Sequence, residues 1–577
     1  MARSWSCFLP ADYTEETAMG KIADRIYGCE PWRITETGWS REKNLVGESV
    51  FSLANEYMGF RDYADEGADA PGLIGAYFGG VYEWGEEAGP GGYRGIIKRP
   101  HHMVCAADFF HTRIYAGEKR VWLDETAVGF ERFLDLRTGL VHRSYTSNGL
   151  RVAFDRLLAM DAFQCASQRV TLTADQDMDL RLELAVDGTV PHQSAGKCQW
   201  TKTAEKQTAR RYGARYITET TDQTVDYLFS LETASPAEPV SGGFALHLAL
   251  KAGVPVTVER RILNTVEPQG DLDLDKLDSA LSFDEILRQN TRHWAAFWRR
   301  SDVEIDGDEL NQQGIRYCLF QLHQTYRGLD GHHNIGAKGL TGEAYSGHAF
   351  WDSETYCLPY YLCNDRQAAK SLLMYRYHTL PQARARARQL DCQGACYPIA
   401  TLNGYESCDL WQHASLQMQP STAVAYAIME YCKLTGDDAF LFHDGIEMLV
   451  EISRYVVSRG AWNADHSGFG FWGVMGPDEF HMMVNNDYYT NYMGGKTLVI
   501  PCTFCPVRTI PTPGLRRRNA PNGVQSASAS SCMKPPGMCL SSTTASLPCP
   551  NWISIPFRSA SFRCMSIGAM TGYTVRI

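Results

Sequence analysis

The chain has 577 residues, 44% of them apolar and 21% charged, proportions that exclude a mostly disordered chain or a fibrous repeat. At roughly 150 residues per domain, the length allows three or four domains and an enclosed site. The 55 Lys and Arg against 66 Asp and Glu leave a net charge of −11, which argues against nucleic acid or an anionic membrane as a partner.

The first twenty residues carry Asp12, Glu15 and Glu16 and no apolar h-region. No run reaches the roughly 18 apolar residues that span a bilayer, so the expected compartment is the cytoplasm. Cys7, Cys29, Cys105, Cys165 and Cys198 are isolated and unpatterned, and the cysteines of the first 496 residues are read as reduced thiols. Residues 1–268 read as one antiparallel β-sandwich. Period-2 alternation recurs there, as in Leu180, Leu182, Leu184 and Val186 and again in Phe244, Leu246, Leu248 and Leu250, with Gly, Asn and Asp turns between the runs. The period then changes. Residues 269–308 read as a helical linker, and Ile315, Cys318, Leu319 and Leu322 fall on one face of the helix that follows. In residues 309–496, Ser421 is placed to cap a helix carrying Val424, Ala427, Ile428 and Tyr431; Gly436 ends it and Asp437 caps the next. Ile446, Leu449, Val450 and Val457 form a further apolar stripe ending at Gly460. Such helices, joined by Gly- and aromatic-rich loops, suggest an α/α barrel or solenoid.

Residues 497–577 belong to another statistical population. They hold no Asp or Glu, 10 of the 25 Pro, 6 of the 18 Cys and 11 Ser. Their eight basic residues give +8 and leave residues 1–496 at −19. One reading is a disordered basic tail; the preferred one is a reading frame lost just after Lys496, since out-of-frame codons produce this mixture. Cys502 and Cys505 have CxxC spacing without a second pair, so no metal is expected. The pairs His101 and His102, and His332 and His333, lack a ligand pattern and are read as solvated or capping.

Chemistry-bearing residues cluster in three loops. In residues 471–481, FWGVMGPDEFH, Asp478 and Glu479 sit in a Gly-Pro loop between aromatic residues. A carboxyl desolvated by rings stays protonated at neutral pH, as a general acid must; the plainer reading is a solvated turn. Asn485, Asn486, Asp487, Tyr488, Tyr489, Asn491 and Tyr492 follow, a density of amides and rings suited to binding sugar hydroxyls. Residues 347–354, GHAFWDSE, offer Trp351 as a stacking platform and Asp352 as a hydroxyl acceptor, or else a buried Trp and a helix N-cap at Asp352 or Ser353. Residues 397–411, YPIATLNGYESCDLW, supply Glu406, Asp409 and Trp411. Together the three loops point to one carbohydrate site.

These stretches resemble a known family. EAYSGHAFWDSETYCL, residues 343–358, is similar to the GHxFWDTE signature of glycoside hydrolase family 65, and GVMGPDEFHMMVNNDYYTNYM resembles its GPDEYHxxVxNNxYTNYM block. ESVFSLANEYMGFRDYADEG with GAYFGGVYE, residues 48–83, is similar to the family's ESLFxLxNGYLGxRG region, and LDLRTGLVHRSY at 134–145 adds a further match. The resemblance covers residues 20–496 in order. It implies a multidomain protein: an N-terminal antiparallel β-sandwich, a helical linker, then an (α/α)6 barrel that is incomplete in this chain. It implies an inverting phosphorylase that cleaves an α-glucosyl disaccharide with inorganic phosphate to give β-glucose 1-phosphate. The implied partners are the disaccharide and phosphate, with no further cofactor, and dimers are common in the family. By position in the motifs, Glu479 is implied as the general acid and Trp351 and Asp352 as lining the non-reducing glucose subsite. Glu354 is grouped with them as substrate-binding, and Glu406 and Trp411 are implied to lie nearer the leaving sugar. The family's phosphate-binding Ser and His loops and its Lys-Gln pair are not recognisable in residues 497–577. Ile399 stands where Trp is common, which leaves the acceptor sugar open. One alternative is an inverting α-glucoside hydrolase, which needs a second carboxylate about 6.5–9.5 Å from the acid. The other, preferred for the chain as written while its lineage is read as phosphorylase, is an inactive, truncated carbohydrate-binding remnant.

Overall fold

The computed structural model describes residues 27–87, 96–504 and 575–576, with side chains through residue 500. Two large antiparallel sheets fill the N-terminal part, beside a three-stranded and a two-stranded one. In spatial order, the larger runs Tyr27–Glu30, Arg33–Thr37, Val128–Asp135, Leu140–Ser147, Leu150–Leu158, Cys165–Ala174, Val256–Val266, Thr224–Glu232, Arg211–Thr218 and Trp200–Gln207. The smaller runs Ala237–Val240, Gly243–Leu250, Met178–Ala185, Thr112–Ala116 and Lys119–Val121. Register explains how the alternation becomes a layer: Leu180 pairs with Leu248, Leu182 with Leu246 and Leu184 with Phe244. All six side chains are buried in one core with Val152, Phe154, Val170, Leu172, Tyr227 and Phe229 of the larger sheet, so each apolar cross-strand pair also closes the space between the sheets.

The linker packs as part of that core. Helix α1 (Phe283–Ser301) starts in a capping box made by Ser282 and Glu285, which satisfies two otherwise orphaned N–H groups. Trp294, Phe297 and Trp298 then enter the sandwich core. Trp298 Nε1 donates to Leu136 O at 2.8 Å, and the Asn290 amide donates to Leu158 O at 2.8 Å and accepts from the Met160 N–H at 3.0 Å.

Helix α2 (Glu309–Thr325) corrects the apolar face expected for it. Leu319 is buried, but Ile315 and Leu322 are half-buried and Cys318 is exposed. The buried face is mostly polar, with Gln312, Gln313, Arg316, His323 and Gln324 beside Leu319 and Phe320. Gln313, Arg316 and Gln324 among them satisfy backbone groups of the N-terminal domain. Gln313 Nε2 lies within hydrogen-bonding distance of the carbonyls of Gly28, Glu30 and Arg33, at 2.8, 3.2 and 2.8 Å. Gln324 Oε1 accepts from the Ala54 N–H at 3.0 Å. Arg316 binds both oxygens of Asp302 at 2.8 Å and lies 3.7 Å from the Trp32 ring centroid.

Helices α3 (Arg366–His378), α4 (Leu380–Gln389), α5 (Gln419–Thr435), α6 (Ile446–Arg459) and α7 (Tyr488–Phe504) share a second core. Helix α5 begins earlier than expected, with Pro420 in its first turn, where a preset φ and a missing N–H cost nothing. Ser421 is therefore inside the helix, and its Oγ accepts from the Tyr397 N–H at 2.9 Å. Gly436, at φ +67°, closes α5, and the Asp437 side chain accepts from the Phe440 N–H. Helix α6 buries Met448, Leu449, Ile452, Tyr455 and Val456, leaving Ile446, Val450 and Val457 half-buried. Helix α7 crosses the boundary placed at Lys496, because Thr497 and Ile500 are buried. Apart from that helix and Val575–Arg576, the expected disorder or frame loss in 497–577 falls outside the described residues. Among the described residues no helix is long and apolar enough to cross a membrane.

Candidate active site

A cavity of about 990 Å³ opens between the sandwich and the helical region, and all three loops singled out by their Trp, Asp and Glu content reach it. Trp351, Asp352, Asp409 and Glu479 line it; Glu354, Glu406 and Trp411 do not.

The loop carrying Glu479 is docked on the segment that follows the short helix Trp411–Leu416. The Met475 N–H donates to Leu416 O at 3.1 Å, and Gln419 Nε2 donates to Met475 O at 3.0 Å. Glu479 Oε1 accepts from Gln417 Nε2 at 2.9 Å and lies 3.3 Å from His413 Nδ1. The ring-enclosed carboxyl expected from composition is not formed. The Glu479 side chain is 51% exposed, and Phe480 beside it is 94% exposed and encloses nothing. Asp478 turns to the Phe480 N–H and to His481.

The amide-rich run after it serves the loop rather than the cavity. Asn485 Oδ1 accepts from the Gly473 N–H and Asn491 Oδ1 from the Phe471 N–H, at 3.0 and 3.3 Å. Asp487 caps α7 through the Thr490 N–H and hydroxyl, at 2.8 and 2.7 Å. A Cβ at Gly476 would sit 2.6 Å from Asp487 Oδ1, so any larger residue there would displace the carboxylate that caps α7.

Trp351 is half-buried, with its ring centroid 6.0 Å from that of Tyr489 on α7, and Asp352 is exposed to the cavity. Asp352 makes no side-chain cap. The backbone continues as a π-turn, Ser353–Cys357, a geometry frequent at functional sites. Glu354 is buried behind it and gives its two oxygens to Arg376 Nε and Nη2 of α3, at 2.7 and 3.0 Å. Glu406 is likewise internal. It accepts from the N–H groups of Ile399, Ala400, Ser407 and Cys408 at 2.8 to 3.2 Å. Burial pushes its carboxyl above the ordinary range, and the Ile399 N–H opposes that rise. Trp411 opens the short helix and is 48% exposed.

The sandwich supplies a wall that the sequence reading missed: Pro100, His101, His102 and Ser194 line the cavity. His101 is 1% exposed rather than solvated. Its Nε2 accepts from the Leu402 N–H at 2.9 Å, and its own N–H donates to Ser407 Oγ at 2.8 Å. Its carbonyl accepts from Ser407 Oγ at 2.9 Å and from His348 Nε2 at 2.7 Å. The strand His101–Met103 thus holds two cavity loops at once. These partners lie about 250 to 300 positions away in the chain, so no local pattern announces them.

Burial, with the neighbouring imidazoles, lowers His101 from 6.5 to about 3, and burial lowers His348 to about 4. Both are neutral in the folded protein, whereas an unfolded His takes up a proton below about pH 6.5. Their contribution is therefore complete above pH 6.5 and is lost as pH falls from 6.5 toward 4. We expect the thermal midpoint to drop over that window and the drop to shrink in His101→Gln, which keeps an acceptor for Leu402. Midpoints recorded from pH 7 to 4 check this, and identical slopes in the two proteins would contradict it.

Among the described residues no group of three or more His, Cys, Asp or Glu could hold a metal ion, and Cys29, Cys105, Cys165 and Cys198 are free thiols. Cys7 and the side chains of Cys502 and Cys505 lie outside what is described.

Residues 34–297 match the N-terminal domain of glycosyl hydrolase family 65, and residues 316–512 match that family's central catalytic domain. The maltose phosphorylase of Bacillus subtilis (strain 168) is 29% identical over 504 residues, covering 83% of this chain and 66% of that protein. The alpha,alpha-trehalose phosphorylase of Thermoanaerobacter brockii is 31% identical over 516 residues, with coverage again of 83% and 66%. The chain thus spans just under two thirds of the length of these relatives. A solved structure described as "Putative kojibiose phosphorylase from human microbiome" superimposes with a TM-score of 0.79 at 42% identity, covering 85% of this chain and 67% of that one.

Proposed function

Because the chain belongs to glycoside hydrolase family 65, we propose that it is an inverting glycoside phosphorylase converting an α-glucosyl disaccharide and inorganic phosphate into β-glucose 1-phosphate and a free sugar. The observation that carries this reading is the placement of Glu479 in one cavity with Trp351 and Asp352. Trp351 stacks on the glucosyl ring and Asp352 accepts from its hydroxyls. Glu479 protonates the glycosidic oxygen as its bond to C1 breaks. Phosphate attacks C1 from the opposite face, which inverts the configuration. As an anion it needs no base to activate it, unlike water. The same reading treats α3 to α7 as part of an (α/α)6 barrel.

A second reading, inverting hydrolysis, is favoured by Asp409, an exposed carboxylate on the cavity wall. Incubating the chain with maltose, kojibiose, nigerose and trehalose, with and without phosphate, separates the two. We expect turnover to require phosphate. Glucose release at full rate without it would exclude phosphorolysis.

A further inference from the structure

Gln417 follows the short helix Trp411–Leu416 and is 5% exposed. It is paired by a parallel β-bridge to Met475, which is fully buried, so its backbone is tied to the loop that carries Glu479. Its amide nitrogen has three acceptors within reach, Glu479 Oε1 at 2.9 Å, Met475 Sδ at 3.1 Å and His413 Nδ1 at 3.2 Å. Its carbonyl oxygen is buried without a partner. The amide is therefore oriented by its nitrogen end, with one N–H on Glu479 Oε1, the shortest contact, and the other shared between Met475 Sδ and His413 Nδ1. Glu479 Oε2, in contrast, accepts nothing from the described residues.

This asymmetry has a chemical consequence. A carboxylic acid carries its proton on one oxygen, and an N–H donor on Oε1 favours the form protonated at Oε2. The Gln417 hydrogen bond joins two neutral groups before proton transfer and becomes charge-assisted afterwards. An interaction that strengthens along the reaction lowers the barrier, whereas one of constant strength does not.

We propose that Gln417 is a positioning residue for proton donation: it fixes Glu479 Oε1, leaves Oε2 to carry the transferred proton, and stabilises the carboxylate that forms. The proposal rests on the general-acid reading of Glu479. In the step, the Oε2–H bond breaks and its proton goes to the glycosidic oxygen. The C1–O bond breaks with its electron pair staying on that oxygen, and a phosphate oxygen forms the new bond to C1. Met475 Sδ and His413 Nδ1 take the second N–H of Gln417 and so keep the amide from turning over.

The test compares two substrates of the full chain in phosphate: the fastest of the four disaccharides above, and α-glucosyl fluoride, whose leaving group departs without a proton. Gln417→Leu keeps the bulk and removes both N–H groups. Its kcat on the disaccharide should fall about 10- to 100-fold, with fluoride turnover and both KM values near those of the parent. Gln417→Glu, an isosteric change that replaces the donor, should show the same selective loss and carries the test if the Leu variant does not fold. Equal loss on both substrates, or loss on neither, overturns the role of Gln417 when Glu479→Gln is itself selective for the disaccharide. A Glu479→Gln protein that is not selective overturns the general-acid reading and the proposal with it.

Discussion

Replacing Glu479 by Gln is expected to lower the turnover of an α-glucosyl disaccharide by about 10²- to 10⁴-fold, the usual contribution of a positioned general acid. Gln is nearly isosteric and has no proton to give, so the loss is chemical rather than structural. The side chain is half exposed, and among the described residues its polar contacts are to Gln417 and His413, so the unfolding midpoint should stay with the parent's. Asp478 provides an internal control, because its carboxylate is occupied by the Phe480 N–H and His481 outside the cavity lining. Asp478→Asn should leave the rate near that of the parent. Initial rates of glucose 1-phosphate release, with a thermal melt of each variant, check both statements. A Glu479→Gln enzyme of nearly full rate would remove Glu479 from the chemistry.

The second large effect concerns stability. Arg376 is fully buried and Glu354 is 3% exposed, and they form a two-point ion pair behind the π-turn that follows Trp351 and Asp352. Removing one partner leaves the other charge buried without compensation, which costs about 3–5 kcal/mol. Glu354→Leu and Arg376→Met should each destabilise the protein by that amount, whereas the double variant should recover much of the loss, because two apolar side chains no longer bury a charge. Urea denaturation of the four proteins measures this cycle. Additive losses in the double variant would show that the two side chains act independently. The single variants should also lose activity, since the pair backs the turn carrying Trp351 and Asp352.

Glu354 and Glu406 show where a reading from residue types runs out. Both lie in loops rich in Trp and Asp, and a carboxylate accepts from sugar hydroxyls, guanidinium groups and backbone N–H groups alike. Only three-dimensional placement separates these uses: Glu354 meets Arg376 and Glu406 meets four backbone N–H groups. The same ambiguity holds for Asn485, Asn491 and Asp487, whose side chains fold their own loop. Alternation was legible in Leu180, Leu182 and Leu184 because burial on one sheet face is a property of the strand itself. The polar face of α2 was not, since Gln313, Arg316 and Gln324 are buried by carbonyls, N–H groups and rings that belong to distant strands and turns. His101 fails to stand out for the same reason. The three loops could be connected through their composition, while the sandwich wall that joins two of them could not.

We propose that the cavity holding Trp351, Asp352 and Glu479 performs phosphorolysis with inversion. Proton NMR of the full chain acting on the fastest of the four disaccharides in phosphate buffer tests it most directly. β-Glucose 1-phosphate is expected as the first phosphorylated product, formed in step with the free sugar and absent without phosphate. The α anomer of glucose 1-phosphate, or glucose released equally well without phosphate, would contradict it.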